Sequence, residues 1–186
     1  MKARMLRLGG SLAAVAALGV AVSGGAATAS STKAGDPVVV DMVKEGKDLF
    51  FAYPETVEHG QVLKIKNDTD PRKIGPHTFS LVQRSTFPRT EDQIKACAKK
   101  FKKICGAIVK WHQVDLDTGA IGRNPSDPSK TGWDEQGNLK HRGDSWVSER
   151  EGQAFSMKVR ADAGKTLHFI CAVHPEMQGK IQVVEG

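Results

Sequence analysis

Near the end of the chain, a thiol, an imidazole and a thioether fall within seven residues, at Cys171, His174 and Met177. Ahead of them, Leu167 and Phe169 lie at alternate positions and share the parity of Cys171. This period of two predicts a β-strand with one buried face, and the strand directs Cys171 inward. Side chains of these three kinds bind metal ions. Because they lie close together in the sequence, at the end of the predicted strand, they predict a metal-binding loop there.

A second strand is predicted directly after this loop, because Ile181 and Val183 alternate with polar residues beyond a turn at Gly179. The loop therefore joins the ends of two neighbouring strands. One more imidazole would complete a His2Cys site with an axial Met, which is the ligand set of blue copper sites. The segment 75–79 offers that imidazole at His77. The predicted ligands of one copper ion per chain are His77, Cys171, His174 and Met177.

The loop Cys-x2-His-x2-Met, followed by Gly-Lys and an apolar strand, resembles the ligand loop of the cupredoxins, the family of small blue (type 1) copper proteins. Its spacing is similar to that of amicyanin and plastocyanin-like proteins, although plastocyanin itself has a longer gap between His and Met. Residues 37–83 and 152–185 carry the resemblance. It implies an all-β fold, a Greek-key β-sandwich, and a protein that carries single electrons between redox partner proteins.

The resemblance also implies roles for individual residues. His77 would be held between core strands, whereas His174 would be the ligand nearer to solvent and the port for electrons. Cupredoxins commonly have a hydroxyl residue after the Cys ligand, but here Ala172 cannot donate a side-chain hydrogen bond. Asn67 and Thr78 are therefore the candidates for tying the two ligand segments together.

The first 29 residues have the pattern of a secretory signal peptide. Lys2, Arg4 and Arg7 precede an apolar run over residues 8–22, and small residues follow as far as Ala29. A membrane span requires about 20 apolar residues, so we predict cleavage after Ala29, with a retained amino-terminal anchor as the alternative. The expected location is the periplasm or the extracellular space, without stable membrane insertion of the mature chain.

A single domain is predicted over residues 37–186, after a flexible lead at 30–36. Loss of residues 1–29 removes three of the 27 Lys and Arg residues and none of the 21 Asp and Glu residues, which lowers the formal net charge from +6 to +3. A nucleic acid partner is not expected, because aromatic residues make up only 6% of the chain and no continuous basic stripe accompanies them. We expect a monomer.

An insert over about residues 84–150 interrupts the β pattern. Thr90 and Gln93 have the spacing of a capping box, and apolar residues at helical spacing follow, so an amphipathic helix is predicted. Most of the other residues in this helical segment are lysines. The simpler interpretation is that they form a solvent-exposed face of the helix, and the alternative is that they bind a partner. Residues 115–144 are rich in Gly, Asp, Asn, Pro and Ser, which indicates loops.

Cys97 and Cys105 remain as a pair once Cys171 is assigned to the metal, and in an oxidising compartment such a pair favours a disulfide. A continuous helix would prevent this, because eight residues of helix separate two α-carbons by about 12 Å and a disulfide tolerates less than about 7 Å. Either the helix breaks near residues 99–103, which is the preferred interpretation, or the two residues are buried thiols.

Three classes of function fit the sequence: an electron carrier, a copper-binding or copper-delivery protein without redox turnover, and an interaction module in which the insert acts. An enzyme is not expected, because one type 1 site offers no open substrate position and the sequence shows no nucleophile, base and oxyanion constellation. Zinc is a poorer match, since structural zinc sites do not recruit a Met thioether. The histidines expected in turn, packing or surface positions are His59, His112, His141 and His168.

Overall fold

The structure is a computed structural model, and it describes residues 35–115, 117–118, 120–122 and 132–186. The predicted signal peptide, and the predicted lead except for its last two residues, lie outside the described residues. Within the described part, no helix is long and apolar enough to cross a membrane.

Nine strands in the described part form two sheets. In chain order the strands are β1 (Val38–Glu45), β2 (Asp48–Ala52), β3 (Thr56–Glu58), β4 (Val62–Asn67), β5 (His77–Leu81), β6 (Ser145–Ser148), β7 (Ala154–Lys158), β8 (Thr166–Ile170) and β9 (Gln178–Val184). The first sheet has the order β2, β1, β4, β7, and the second has the order β3, β9, β8, β5, β6. Two neighbouring pairs are parallel, β1 with β4 and β3 with β9, and the other pairs are antiparallel.

The two sheets pack face to face around one apolar core, to which both contribute fully buried side chains at alternate positions. Phe51 of β2 meets Phe79 of β5 across the sandwich, with ring centroids 5.8 Å apart. The prediction of an all-β Greek-key sandwich with a helical and loop-rich insert is confirmed. Trp133 is one core residue that the sequence did not predict: it lies in the loop-rich segment and is fully buried against Phe79.

Three short α-helices accompany the sheets in the part of the chain that the structure describes. They are α1 (Pro71–Ile74), α2 (Glu91–Lys100) and α3 (Lys103–Trp111). The predicted capping box starts α2, because the Thr90 hydroxyl accepts from the Gln93 N–H while the Gln93 side chain accepts from the Thr90 N–H. The helix ends where Phe101 adopts a left-handed conformation with φ of 42°. This break allows a disulfide between Cys97 and Cys105, whose α-carbons lie 5.4 Å apart.

The insert covers the outer face of the second sheet. Ile104 and Ile108 of α3 pack with Val82, Ile170 and the disulfide in a second apolar core on that face. The strand β6 falls inside the span predicted as insert but pairs with β5, so the sandwich resumes at residue 145. All four residues of β6 are buried, because one face meets the main core and the other meets the insert.

Candidate metal centre

Three donor side chains converge at one end of the sandwich, where β5 begins and β8 ends. His77 is the first residue of β5, Cys171 directly follows β8, and His174 lies on the loop to β9. Their donor atoms all lie within 4.8 Å of one another. Cys171 Sγ is 3.8 Å from Nδ1 of His77 and 3.8 Å from Nδ1 of His174. The antiparallel pairing of β5 with β8 thus brings together residues 94 positions apart in the chain.

Backbone hydrogen bonds set the shape of the loop that carries the other ligand candidates. The Met177 N–H donates to the His174 carbonyl at 2.8 Å, and the Cys171 N–H donates to the Met177 carbonyl at 3.0 Å. The side-chain amide of Gln178 donates to the Pro175 carbonyl, and this bond is a third constraint on the loop between β8 and β9. The spacing of the loop residues is therefore imposed by the backbone.

The sulfur of Cys171 is fully buried but receives two backbone hydrogen bonds. The N–H groups of Thr78 and His174 donate to it at 3.3 and 3.4 Å. Burial raises the pKa of the Cys171 thiol above its ordinary value, and these hydrogen bonds, which favour the thiolate, offset the rise only in part. A cation that replaces the thiol proton would find two donors already directed at the charged sulfur.

Both imidazoles are held in the neutral form. Burial, and secondarily the neighbouring His174, lowers the pKa of His77 to about 4. Burial also lowers the pKa of His174, although its hydrogen bond to Ile74 and the nearby Glu176 act in the opposite direction. At pH 7 each ring therefore has a lone pair to offer.

The orientation of His174 is fixed from a segment next to His77. His174 Nε2 donates to the Ile74 carbonyl, the last of α1, at 2.8 Å, so its Nδ1 keeps the lone pair that faces the sulfur. The helix is itself capped by Asp70, whose side chain accepts from the Arg72 N–H. Gly75 then turns the chain toward β5 with φ of 88°, a value that favours glycine. The sequence analysis did not predict α1.

This donor set fits one copper ion per chain. The Nδ1 atoms of two imidazoles face one sulfur at 3.8 Å, which is too long for strong hydrogen bonds, so neither Nδ1 has the close partner that a cation would provide. A thiolate with two imidazoles is the His2Cys set of copper electron-transfer sites. Met177, the predicted fourth ligand, is fully buried in the same core cluster as Cys171.

The two residues expected to tie the ligand segments together behave differently. Thr78 does so, because its Oγ1 accepts from the Ala172 N–H at 2.8 Å. Asn67 does not fill this role: its amide donates to Ser148 Oγ and its carbonyl oxygen accepts from Thr69. The reason is that β4 belongs to the first sheet, so Asn67 lies against the end of β6 and the expectation for this residue is corrected.

The remaining histidines lie outside the cluster. His59 bonds the Ala161 carbonyl, and His141 is exposed. His168 bonds Gln136 on the outer face and lines a cleft of about 810 Å³ together with basic side chains such as Arg89. His112 was expected only to pack or to lie on the surface; it is buried and bonds a serine, and no local sequence pattern indicates that contact.

The fold and the cluster together define a β-sandwich with one buried mononuclear metal centre of two imidazoles and a thiol at the end of its strands. No protein-family model matches the chain, and no curated protein sequence does.

Among solved structures, the chain is similar to auracyanin B, with 16% identity, a TM-score of 0.42 and coverage of 80% of this chain and 88% of that one. Auracyanin A, a blue copper protein from Chloroflexus aurantiacus, matches with 20% identity, a TM-score of 0.39 and coverage of 80% and 99%. A copper-containing nitrite reductase from Thermus scotoductus matches with 16% identity and a TM-score of 0.36, over 81% of this chain but only 23% of the other. Because these TM-scores lie below 0.5, the metal assignment rests on the donor atoms of this chain.

Proposed function

We propose that the chain is a type 1 blue copper protein that carries single electrons between redox partner proteins. The observation that carries the proposal is the convergence of His77, Cys171 and His174 on one point, with their donor atoms within 4.8 Å. Met177, buried beside them, is proposed as the weak axial ligand. The loop spacing, which is similar to that of amicyanin, supports the same assignment.

The surroundings of the ligands suit electron transfer because each ligand has little freedom to move. A bound copper ion would supply a one-electron couple between Cu(II) and Cu(I). His77 is fixed in a strand, His174 is held by the Ile74 carbonyl, and the sulfur is held by backbone N–H donors. Ligands that stay in place between the two oxidation states keep the reorganisation small, which favours fast exchange.

Electron exchange through His174 is part of the proposal. His77 is fully buried, whereas His174 is only partly buried and lies on a loop at the end of the sandwich. Its Nε2 bonds the Ile74 carbonyl, and Ile74 is itself partly exposed. The route to a partner would therefore pass from the ring to the surface beside α1.

The cellular context is proposed from the sequence. A signal peptide cleaved after Ala29 would deliver a single domain of residues 37–186 to the periplasm or the extracellular space, where the disulfide between Cys97 and Cys105 is compatible with the redox conditions. We propose a monomeric carrier rather than an enzyme, because the cluster is buried and its donors are directed at one another rather than at an open substrate position.

The partner surface is proposed to lie on the insert. Four exposed lysines surround the break between α2 and α3, at Lys99, Lys100, Lys102 and Lys103. No copper chemistry requires charges there, and surface charge of one sign chiefly sets encounter rate and partner choice. An acidic redox protein is the partner that this surface would favour.

The test is the visible spectrum and the voltammetry of the purified protein after addition of one equivalent of Cu(II). We expect an intense thiolate-to-copper charge-transfer band and a reversible one-electron wave with copper retained. A coloured protein that releases copper on reduction and gives no reversible wave would indicate copper delivery instead. Absence of the band would overturn the copper assignment.

A further inference from the structure

A continuous path of buried hydrogen bonds runs from the insert to the metal centre. His112 caps the carboxyl end of α3, and its Nε2 lies 2.7 Å from Ser145 Oγ on β6. Ser145 Oγ lies 2.6 Å from Ser80 Oγ on β5, and the Ser80 hydroxyl donates to Thr78 Oγ1 at 3.2 Å. Thr78 Oγ1 in turn accepts from the N–H of Ala172, the residue after Cys171. We call the side chains of His112, Ser145, Ser80 and Thr78 the polar path.

The sheet geometry explains why these four side chains meet. Thr78 and Ser80 are two positions apart in β5, so both point away from His77 toward the insert. Ser145 lies directly opposite Ser80 in the pairing of β5 with β6. All four side chains of the polar path are at most 4% exposed, and they lie beside the apolar core between the sheet and the insert. Polar groups in such a place are costly unless they bond one another.

The hydrogen atoms of the polar path can be assigned in order, because a serine hydroxyl has only one to donate. Ser80 gives its hydrogen to Thr78, so it accepts from Ser145. Ser145 has then used its own hydrogen and accepts from His112 Nε2. Thr78 Oγ1 accepts from Ser80 and from the Ala172 N–H, while the Thr78 backbone N–H donates to the Cys171 sulfur. The donors of His112, Ser145 and Ser80 therefore all point toward Thr78, the residue whose backbone N–H donates to the sulfur.

We propose that His112 is a positioning residue that tunes the metal centre through Ser145, Ser80 and Thr78, because this path fixes the residue whose Oγ1 holds the Ala172 N–H and whose backbone N–H donates to the Cys171 sulfur. This inference rests on the proposed function in that the sulfur is taken as a copper ligand. Hydrogen bonds around the Cys sulfur set the reduction potential of such sites. Donors withdraw electron density from the sulfur, so they disfavour Cu(II) and raise the potential. The insert thus acts on the metal as well as on partners.

The expected size of the effect follows from the cooperativity of hydrogen-bond chains. Each bond in such a chain is strengthened by about 10–30% by its neighbours, so loss of the first donor should weaken the last bond of the path without abolishing it. We expect about a twofold shift of the equilibrium toward Cu(II), which corresponds to a reduction potential lower by about 18 mV at 59 mV per tenfold change.

The experiment compares four variants of the copper-loaded full chain by voltammetry and by the charge-transfer band. His112→Leu and Ser145→Ala break the polar path, and His112→Gln keeps a side-chain N–H donor at its start. Ile108→Val is the matched control, since Ile108 is fully buried in the same helix and the change loosens the insert without touching the path. Thermal unfolding of each variant separates loss of stability from tuning.

The proposal requires His112→Leu and Ser145→Ala to lower the potential, His112→Gln to restore most of it, and Ile108→Val to leave it unchanged. Equal potentials for His112→Leu and Ile108→Val would overturn it, as would a shift confined to Ser145→Ala. If His112→Leu does not fold, the comparison of Ser145→Ala and His112→Gln with Ile108→Val decides in the same way.

A second readout needs no copper, so failure of this inference can be told from failure of the proposed function. In the metal-free protein, the Ala172 amide is bonded to Thr78 at the end of the path. Breaking the path should shift its NMR signal and speed its hydrogen exchange, whereas Ile108→Val should not. A wild-type protein without the blue band would refute the function but leave this measurement valid. Unchanged Ala172 signals in both path-breaking variants would refute the path.

Discussion

Cys171 combines two opposing influences on its sulfur. Full burial favours the neutral thiol, while the N–H groups of Thr78 and His174 favour the thiolate. Since burial dominates, the thiol keeps its proton in the metal-free protein, and binding of a metal ion must displace it. Metal affinity is therefore expected to rise with pH.

The ligand assignment predicts different results for two substitutions. Cys171→Ser should abolish the charge-transfer band of the Cu(II) protein, because the band requires the thiolate. Met177→Leu should leave a coloured protein with a changed potential, since an axial thioether bond is long and weak. His168→Gln, which alters an imidazole on the outer face of the same strand, is the control and should leave the spectrum unchanged. A coloured Cys171→Ser protein would contradict the assignment.

A pH dependence of stability follows from the buried imidazole of His77. Its pKa is about 4 in the folded protein, below the ordinary 6.5 that it regains on unfolding. The unfolded chain therefore binds the proton first as pH falls, so this residue's contribution to stability is present above pH 6.5 and is lost as pH falls through 4. The loss should reach at most about 3 kcal/mol.

Urea unfolding of the metal-free protein at several pH values between 7 and 3.5 measures this loss. His77→Gln removes the titrating group while keeping a polar side chain of similar size, and its stability should depend less on pH over the same interval. Parallel pH profiles for the two proteins would show that His77 is not responsible.

At the level of residues, the sequence predicted the metal loop because its three ligand types lie close together and their spacing is visible. His77 could be added because a strand pattern follows it directly. The contacts of Asn67 and His112 could not be predicted. Each depends on a partner more than 30 positions away, Ser148 in one case and Ser145 in the other, and only the strand order brings these residues together.

At the level of elements, the insert is a pair of helices joined at a sharp break. Phe101 leaves the helical conformation between Cys97 and Cys105, and the disulfide then fixes α2 against α3. Ile104 and Ile108 attach the pair to the outer face of the second sheet. The disulfide therefore stabilises the cover of the sheet and not the metal ligands directly.

Removal of the disulfide should destabilise the protein but spare its colour. For so short a loop, the double substitution Cys97→Ala and Cys105→Ala should lower the free energy of unfolding by roughly 2–3 kcal/mol on the chain-entropy account. Denaturant unfolding and the visible spectrum measure the two effects. Peptide mapping of the non-reduced wild-type protein verifies the bond beforehand, and two freely alkylated cysteines would contradict it.

Strands with one polar face were predictable, and strands without one were not. β4 and β8 show alternating burial, and the sequence alternates with them. β6 is buried on both faces between the core and the insert, and each face combines one serine with one apolar residue. Its residues therefore carry no period of two, and it was assigned to the insert. β3 has only three residues and α1 only four. Elements this short do not show the period of a strand or of a helix in the sequence.

At the level of the whole molecule, charge is separated from the metal centre. His77, Cys171 and Met177 are buried and His174 is partly buried, whereas the exposed lysines of the insert lie on and between α2 and α3. Such a division would let the protein change its affinity for partners without changing its copper spectrum.

Charge reversal on the insert should slow electron exchange with an acidic redox protein. Lys99→Glu with Lys102→Glu should reduce the second-order rate at low salt by about tenfold and flatten its salt dependence, because electrostatic attraction is screened by salt. Stopped-flow kinetics measures the rate. Lys44→Glu with Lys47→Glu makes the same change of charge at exposed lysines of the β1–β2 hairpin and should have a smaller effect. Equal effects of the two variants would show that the rate depends on net charge alone and not on the position of the lysines on the insert.

We expect the metal centre to form late in folding, because it depends on the parallel pairing of β3 with β9. This pairing joins Val57 to Val183, 126 positions away, and parallel contacts over such distances form slowly because a long loop must close first. β9 is also one of the two strands that hold the metal loop. The contact of His77 with Cys171 in that loop joins residues 94 positions apart. A copper ion that needs all of these ligands would therefore select chains that have already closed the sandwich, and it would do little to guide those that have not.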